Sequence, residues 1–424
     1  MKRRNILSLL LTLVLVLQLF LMGSCAGNGK FTATDINGDP LPADQTAYLK
    51  LVQEDAAEII AEIEGISIKK AEKLLNSKGY IVETAFDPAV YAALEEAYKA
   101  DENAPAELGC AVTDLSGLVL AVFSASKTNK NNATTGAKPY GALTPLSVYA
   151  PAIENGKANY STVYLDAPLL KVDDQNWPAN PDGSYTYKKI PLATAVSEGL
   201  PTAAVRCLKE TETDTSIAFL EKLGISFEPS AKDQDTLLKA LTDGDQGTAL
   251  SPMEMAGYYS IFGNNGNYGT TTVMQITDHE GVFIYQGQPK TQQVLDASTA
   301  YIVNRMLSGA TAKGGNAEAA ALEKTAVAGT AASGAEGHWF VGLTPEYSCA
   351  VWHGAQTSEN RSLAFFNKAL SKLSDKELDF SGTPQVFSSV FCQESGQLFS
   401  QGCTKMQMGY YTSENRPAPC ENHK

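Results

Sequence analysis

Two strings in this 424-residue chain set a serine three positions ahead of a lysine, Ser67-Ile-Lys-Lys70 and Ser124-Ala-Ser-Lys127. On a helix that spacing puts both side chains on one face, where the lysine can take the proton of a serine attacking an acyl group. Neither string has that setting. Ser67 falls where a helix cap is predicted, and Ser124 leaves a strand into a loop rich in Lys, Asn and Thr, so neither is read as a nucleophile. The histidines His279, His338, His353 and His423 share no local spacing. His279 lies in the turn Asp278-His-Glu-Gly281 and His353 ends a strand, so both are read as surface or strand-end residues rather than bases. A Gly-x-Ser-x-Gly elbow is absent from the sequence. Cys110, Cys207 and Cys349 lie in apolar segments and read as core residues, Cys110 and Cys349 on strands that could be neighbours. Cys392, Cys403 and Cys420 belong to a tail that ends Pro-x-x-Cys-x-x-His.

The elements that must position any site follow from apolar periodicity. Leu49, Leu51, Val52, Ala56, Ile59, Ile60 and Ile63 predict a helix, Ser67 opens a second one to Asn76, and Tyr80 to Thr84 reads as a strand. Asp87-Pro88 starts another helix to about Lys99. Two extended runs, Leu108 to Val112 and Leu118 to Phe123, flank the turn residues Asp114 to Gly117 and predict a hairpin. Helical patterns follow over 146–152, 192–209, 216–223, 253–259 and 297–306. A second hairpin is predicted from Trp339–Leu343 and Ser348–Trp352 around Thr344-Pro345-Glu346, and a helix over 365–373 ends the body. Hairpins that bracket a mostly helical middle imply an α+β fold, an antiparallel sheet packed by helices with an inserted helical subdomain.

Several blocks then arrive in the order of one known family. Ala71 to Leu75 through Tyr80 to Pro88, Pro145-Leu-Ser-Val-Tyr-Ala-Pro-Ala-Ile-Glu154, Leu250 to Ala256, Phe262 to Tyr268, Val327-Ala-Gly329 and Trp339 to Tyr347 together resemble the transpeptidase domain of bifunctional (class A) penicillin-binding proteins. The resemblance covers about residues 50 to 424 and implies a β-lactamase/transpeptidase-like fold. The stretch between Cys25 and Glu72 is too short for the family's glycosyltransferase domain, so only the transpeptidase half is expected. The resemblance divides the chain into a signal peptide (1–24), a lipid-anchored flexible tether (25–45), a linker or pedestal (46–104), the transpeptidase-like domain (105–376) and a Cys-containing tail (377–424).

Family chemistry is acyl transfer from a peptidoglycan stem peptide through a serine ester, and it needs three motifs in one cleft. Aligned without gaps to Pro-Gly-Ser-x-x-Lys-Pro, Pro139-Tyr-Gly-Ala-Leu-Thr-Pro145 puts Gly141 at the nucleophile and Thr144 at the lysine. A one-residue gap puts Ala142 at the serine, which is equally inert. The Ser-x-Asn motif falls in Val196-Ser-Glu-Gly-Leu-Pro-Thr202, with Gly199 for the serine and Pro201 for the asparagine. The Lys-Thr-Gly motif becomes Thr330, Ala331 and Ala332. Ser358-Glu-Asn360, Ser413-Glu-Asn415 and Lys324-Thr325-Ala326 imitate motifs out of family order and are read as coincidences. The resemblance therefore implies a pseudoenzyme. The tail resembles a C-terminal extension of some family members, and in an oxidising compartment it favours a Cys392–Cys403 disulfide over a Cys3His zinc site.

The N-terminus sets the expected compartment. Lys2, Arg3 and Arg4 precede an apolar run from Ile6 to Met22, and Leu-Met-Gly-Ser before Cys25 resembles a bacterial lipobox, which implies lipid attachment at Cys25. The alternative is an uncleaved signal anchor, since the run approaches the ~20 residues that span a bilayer. Removing those three basic residues takes Lys plus Arg from 33 to 30 against 47 Asp plus Glu, a net charge of −17 that disfavours nucleic acid as a partner. The expected protein is an extracytoplasmic lipoprotein on the outer face of the cytoplasmic membrane. Without cofactor or catalytic metal, it would have a binding, scaffolding or regulatory role toward peptidoglycan or active cell-wall synthases. The alternatives are a hydrolase with a re-purposed cleft and a passive structural envelope lipoprotein.

Overall fold

The computed structural model describes residues 29–172, 174–227, 233–244 and 248–423, so the expected signal peptide and Cys25 lie outside the described residues. The chain divides into two compact units, one ending at Phe86 with the insertion Thr272–Gln288, the other formed by Asp87–Thr271 and the chain from Pro289.

The first unit is a four-stranded sheet in the order Thr32–Thr34, Ile81–Thr84, Val273–Thr277, Phe283–Gln286. The first pair is parallel and the others antiparallel. The predicted helix forms over Thr46–Glu64, but its buried face is Tyr48, Val52, Ala56, Ala57, Ile60 and Ala61; of the residues the periodicity marked, Val52, Ala56 and Ile60 are buried, whereas Leu49 and Ile63 are exposed. On this helix, Asp55 accepts from both the Thr272 amide and the Thr272 hydroxyl at 2.6 Å, which ties the inserted segment down. Two expectations need correcting. The tether read over 25–45 is folded from residue 29 onward: Thr32–Thr34 pairs with Ile81–Thr84, and Asp35 is buried and caps the following turn by accepting from the amides of Asn37 and Asp39. Three residues held by backbone pairing leave no apolar period to read. The pedestal read over 46–104 ends at Phe86, because the helix Pro88–Lys99 belongs to the second unit.

The second unit carries a five-stranded antiparallel sheet in the order Ala328–Gly334, Gly337–Leu343, Tyr347–Gly354, Leu108–Asp114, Val119–Ala125. The two predicted hairpins thus join side by side, and Ala328–Gly334 is left as an edge. Side chains alternate across the sheet. Phe340 points toward the helix Ser362–Leu370, where its ring meets Phe366 edge-on at 4.8 Å. Ser348 faces the opposite way and donates to the Ala256 carbonyl of the helix Pro252–Tyr259 at 2.7 Å. The helical middle contains Leu192–Glu198, Pro201–Thr211, Thr213–Lys222 and Gln234–Asp243. The tail forms an antiparallel pair, Phe387–Cys392 with Met406–Tyr411. Among the described residues no helix is long and apolar enough to cross a membrane.

The Phe340 ring is fully buried between the sheet and its covering helix. Phe340→Ala is expected to cost about 3–5 kcal/mol, read as a lower urea midpoint at unchanged slope.

Candidate functional site

Residues 138–144 lead into the helical turns Pro145–Tyr149 and Ala150–Glu154, and three contacts clamp them to the edge hairpin. The Trp339 indole N–H donates to the Lys138 carbonyl at 2.7 Å, the Glu336 amide donates to the Tyr140 hydroxyl at 2.9 Å, and the Lys138 ammonium pairs with Glu336 at 2.7 Å. Tyr140 adopts φ 49°, the left-handed region that a tyrosine enters at a cost of about 1–2 kcal/mol. Its ring lies so close to Gly334 that a Cβ there would come within 2.1 Å of it.

The first and third motif positions meet. A Cβ built on Gly141 would lie 3.9 Å from the Ala332 methyl of the edge strand. Ala332 pairs with Trp339 and Thr330 with Val341, so Thr330 and Ala332 share one face of that strand while Ala331 lies on the other. The Thr144 hydroxyl donates to the Gly141 carbonyl at 2.7 Å, and the Ala142 carbonyl accepts from the buried Tyr259 hydroxyl at 2.5 Å. The residues brought together here are thus Gly141 and Ala332, with Thr144 turned back onto Gly141.

The second motif position is built as a helix junction. Gly199 ends Leu192–Glu198 in the left-handed conformation, φ 68°, and Pro201 opens Pro201–Thr211 where a proline needs no amide hydrogen. This break splits the single helix predicted over 192–209. A Cβ on Gly199 would lie 2.1 Å from Asn316 Nδ2, so its neighbour is the Asn316 turn. One residue past Pro201, the Thr202 hydroxyl donates to buried Asp166 at 2.9 Å, and Asp166 also accepts from Asn180 and the Thr186 amide. Burial raises the Asp166 carboxyl, but these donors outweigh it and hold the group below the usual carboxylate range.

The opposite face of the edge strand carries a pair that sequence spacing did not reveal. Ser333 Oγ lies 2.8 Å from His338 Nδ1, while His338 Nε2 lies 2.9 Å from the Thr357 carbonyl. A carbonyl only accepts, so Nε2 carries the proton and Nδ1 accepts from the serine. The His338 ring stacks on His353 at 4.8 Å. His353 lies at the end of the strand Tyr347–Gly354, as expected, and is fully buried there: its Nδ1–H donates to the Gly354 carbonyl at 2.8 Å, and Nε2 accepts from the Arg361 amide at 3.0 Å. Strand pairing, not local spacing, makes these histidines neighbours. Asn360, set aside as a motif imitator, donates to the Ala332 and Trp339 carbonyls at 3.3 and 2.9 Å, a brace for the edge strand. A cavity of about 680 Å³ lined by Arg305, Lys324, Glu377 and Asp379 contains none of the motif positions.

The expected Cys392–Cys403 disulfide is not formed; both are free thiols. They converge with Cys420 and His423, four ligand atoms within 4.8 Å of one another. This is the Cys3His set that the sequence offered as the alternative to the disulfide, and its last two members arrive through the bridge between Leu398 and Pro419. Cys110 and Cys349 are neighbours as anticipated, Sγ to Sγ 3.7 Å, and also free.

Burial holds the His353 imidazole at about 4, so its neutral form adds stability that is fully present above the unfolded value near 6.5 and lost as pH falls toward 4. Acidification across that window is expected to lower unfolding free energy by about 2–3 kcal/mol, and His353→Gln to flatten the slope in denaturant titrations at each pH. Gly199→Ser, which restores the family hydroxyl, is expected to cost about 1–2 kcal/mol in the same assay, since φ 68° disfavours any Cβ.

A sequence profile of the penicillin-binding protein transpeptidase domain matches residues 111–373. Penicillin-binding protein 1A of Clostridium acetobutylicum is 31% identical over 233 residues, 52% of this chain and 28% of that protein. Penicillin-binding protein 4 of Bacillus subtilis is 25% identical over 341 residues, 73% of this chain and 53% of that protein. The chain therefore spans about a quarter to a half of these relatives. The D,D-transpeptidase domain of a peptidoglycan glycosyltransferase from Eggerthella lenta superimposes with TM-score 0.64 at 18% identity, over 82% of this chain and 98% of that one. Penicillin-binding protein 1A from Haemophilus influenzae gives 0.67 at 15%, over 85% and 76%. These structures share the fold. With more than half of its length matched by the family profile, the chain belongs to the penicillin-binding protein transpeptidase domain family.

Proposed function

We propose that this chain is a non-catalytic member of the family, an exported lipoprotein held at the outer face of the cytoplasmic membrane through Cys25. There it keeps the transpeptidase shape to bind a peptidoglycan strand or an active synthase. One observation carries the reading: Gly141 and Ala332 come together where a serine nucleophile and a Lys-Thr-Gly strand would have to meet, and the Thr144 hydroxyl is tied to the Gly141 carbonyl. Loss of the nucleophile removes covalent chemistry, and loss of its partners removes the electrostatic assistance that could remain. The Tyr140 ring against Gly334 further occupies the approach to the edge strand.

A hydrolase reading has one observation in its favour, the Ser333–His338 pair oriented by the Thr357 carbonyl. The pair lies on the face of the edge strand away from Gly141 and Ala332, which weighs against a shared cleft.

A fluorescent β-lactam incubated with the purified full chain is expected to leave no covalent label, and Gly141→Ser/Thr144→Lys is expected to stay unlabelled as well. A covalent adduct on the wild-type chain would overturn the non-catalytic reading. Release of products from muropeptides that disappears in Ser333→Ala would establish the hydrolase instead. In cells, cross-linking should capture a wall synthase or glycan, and capture of neither would leave a passive structural role.

A further inference from the structure

We propose that Cys392, Cys403, Cys420 and His423 form a closed tetrahedral site for a zinc-class divalent cation that staples the C-terminal tail. The four ligand atoms all lie within 4.8 Å of one another, and His423 Nδ1 lies 3.5 Å from Cys392 Sγ and 3.4 Å from Cys420 Sγ. A tetrahedron with Zn–S near 2.3 Å and Zn–N near 2.0 Å has S···N edges of about 3.5 Å and S···S edges of about 3.8 Å. The observed S···N separations already match, and the sulfurs need only about 1 Å of side-chain adjustment to reach that geometry.

The surroundings are those of a metal site rather than of a disulfide. Glu394 Oε2 lies 3.1 Å from His423 Nε2, so the carboxylate accepts a hydrogen bond from Nε2–H and leaves the Nδ1 lone pair aimed at the sulfurs. The Ser395 hydroxyl donates to Cys420 Sγ at 3.2 Å, and the Ser400 amide donates to Cys403 Sγ at 3.4 Å. These donors suit thiolate ligands. A Cys392–Cys403 bond would leave Cys420, His423 and Glu394 gathered without a purpose. The three cysteines are themselves a small buried cluster, with relative exposures of 0, 7 and 0%. A tail this short gains most from a bond that replaces a larger core.

The ion would join three stretches that have little regular structure between them: the end of Phe387–Cys392, the loop at Cys403 and the chain end at Cys420 and His423. The stapled tail is the part that docks on the loop 159–161, between the helical turn Ala150–Glu154 and the strand Val163–Leu165. Tyr160 packs on Tyr410 at 5.4 Å, Ser161 donates to the Gly396 carbonyl at 2.6 Å, and Asn159 donates to the Asn415 carbonyl at 3.1 Å. Binding exchanges three thiol protons, released to solvent, for one cation and transfers no electrons.

The test is the full chain, isolated without chelator, incubated with zinc under reducing conditions, desalted and assayed by plasma mass spectrometry. About one zinc per chain is expected, with cobalt substitution giving a thiolate-to-cobalt charge-transfer band and intense tetrahedral visible bands. Glu394→Gln should bind roughly 10–100-fold more weakly, and Cys392→Ser/Cys420→Ser should bind none at this site. Removing the ion from the wild-type chain should lower its melting temperature by about 5 °C or more, restored by zinc, which reads the staple without any variant that could misfold. Under about a tenth of an equivalent of zinc in the wild-type chain, unchanged zinc and cobalt bands in the double variant, or a melting temperature indifferent to chelation would each overturn the proposal.

Discussion

Trp339 is fully buried, and its indole N–H reaches the Lys138 carbonyl at 2.7 Å. Residue 339 sits on the second strand of the sheet, hydrogen-bonded on both sides, so this donor is as fixed as the sheet itself. The bond sets where the segment 138–144 begins and thereby where Gly141 meets Ala332. A buried indole donor left without its acceptor would cost about 1–3 kcal/mol, which makes this contact a strong constraint on the local path. The left-handed Tyr140, held by the Glu336 amide, follows from it.

Around that frame, motif positions are filled by residues suited to structure. Gly199 and Pro201 end one helix and start the next, tasks for which a glycine in a left-handed cap and a proline at the first helical position are well matched. The Thr144 hydroxyl closes a turn on Gly141, and Asn360 braces the edge strand from behind. At the expected motif positions, packing and backbone hydrogen bonding account for the small or turn-forming side chains found there.

The large features of the fold were legible because they rest on local periodicity. The Thr46–Glu64 helix, the Asp87 cap before Pro88–Lys99, and both hairpins follow from the spacing of apolar and turn residues, although the face the helix buries is turned from the one the spacing marked. Short pairings such as Thr32–Thr34 with Ile81–Thr84 were not legible, since three residues carry no pattern and their partner is remote in sequence. The buried place of His353 beside His338 was likewise hidden, because each looks solitary along the chain and only the register of two strands stacks them.

By itself the sequence determined which residue types stand at the expected motif positions: Gly141 or Ala142 and Thr144, Gly199 and Pro201, and Thr330 to Ala332. It also determined the α+β class, through periodicity. Tertiary structure decided which of those positions face one another, that the Tyr140 ring rests on the edge strand, and that Cys392, Cys403, Cys420 and His423 gather around one point. Residue types are properties of single positions, whereas a site is a set of distances, and those distances are closed by strand pairs and bridges that join residues far apart along the chain.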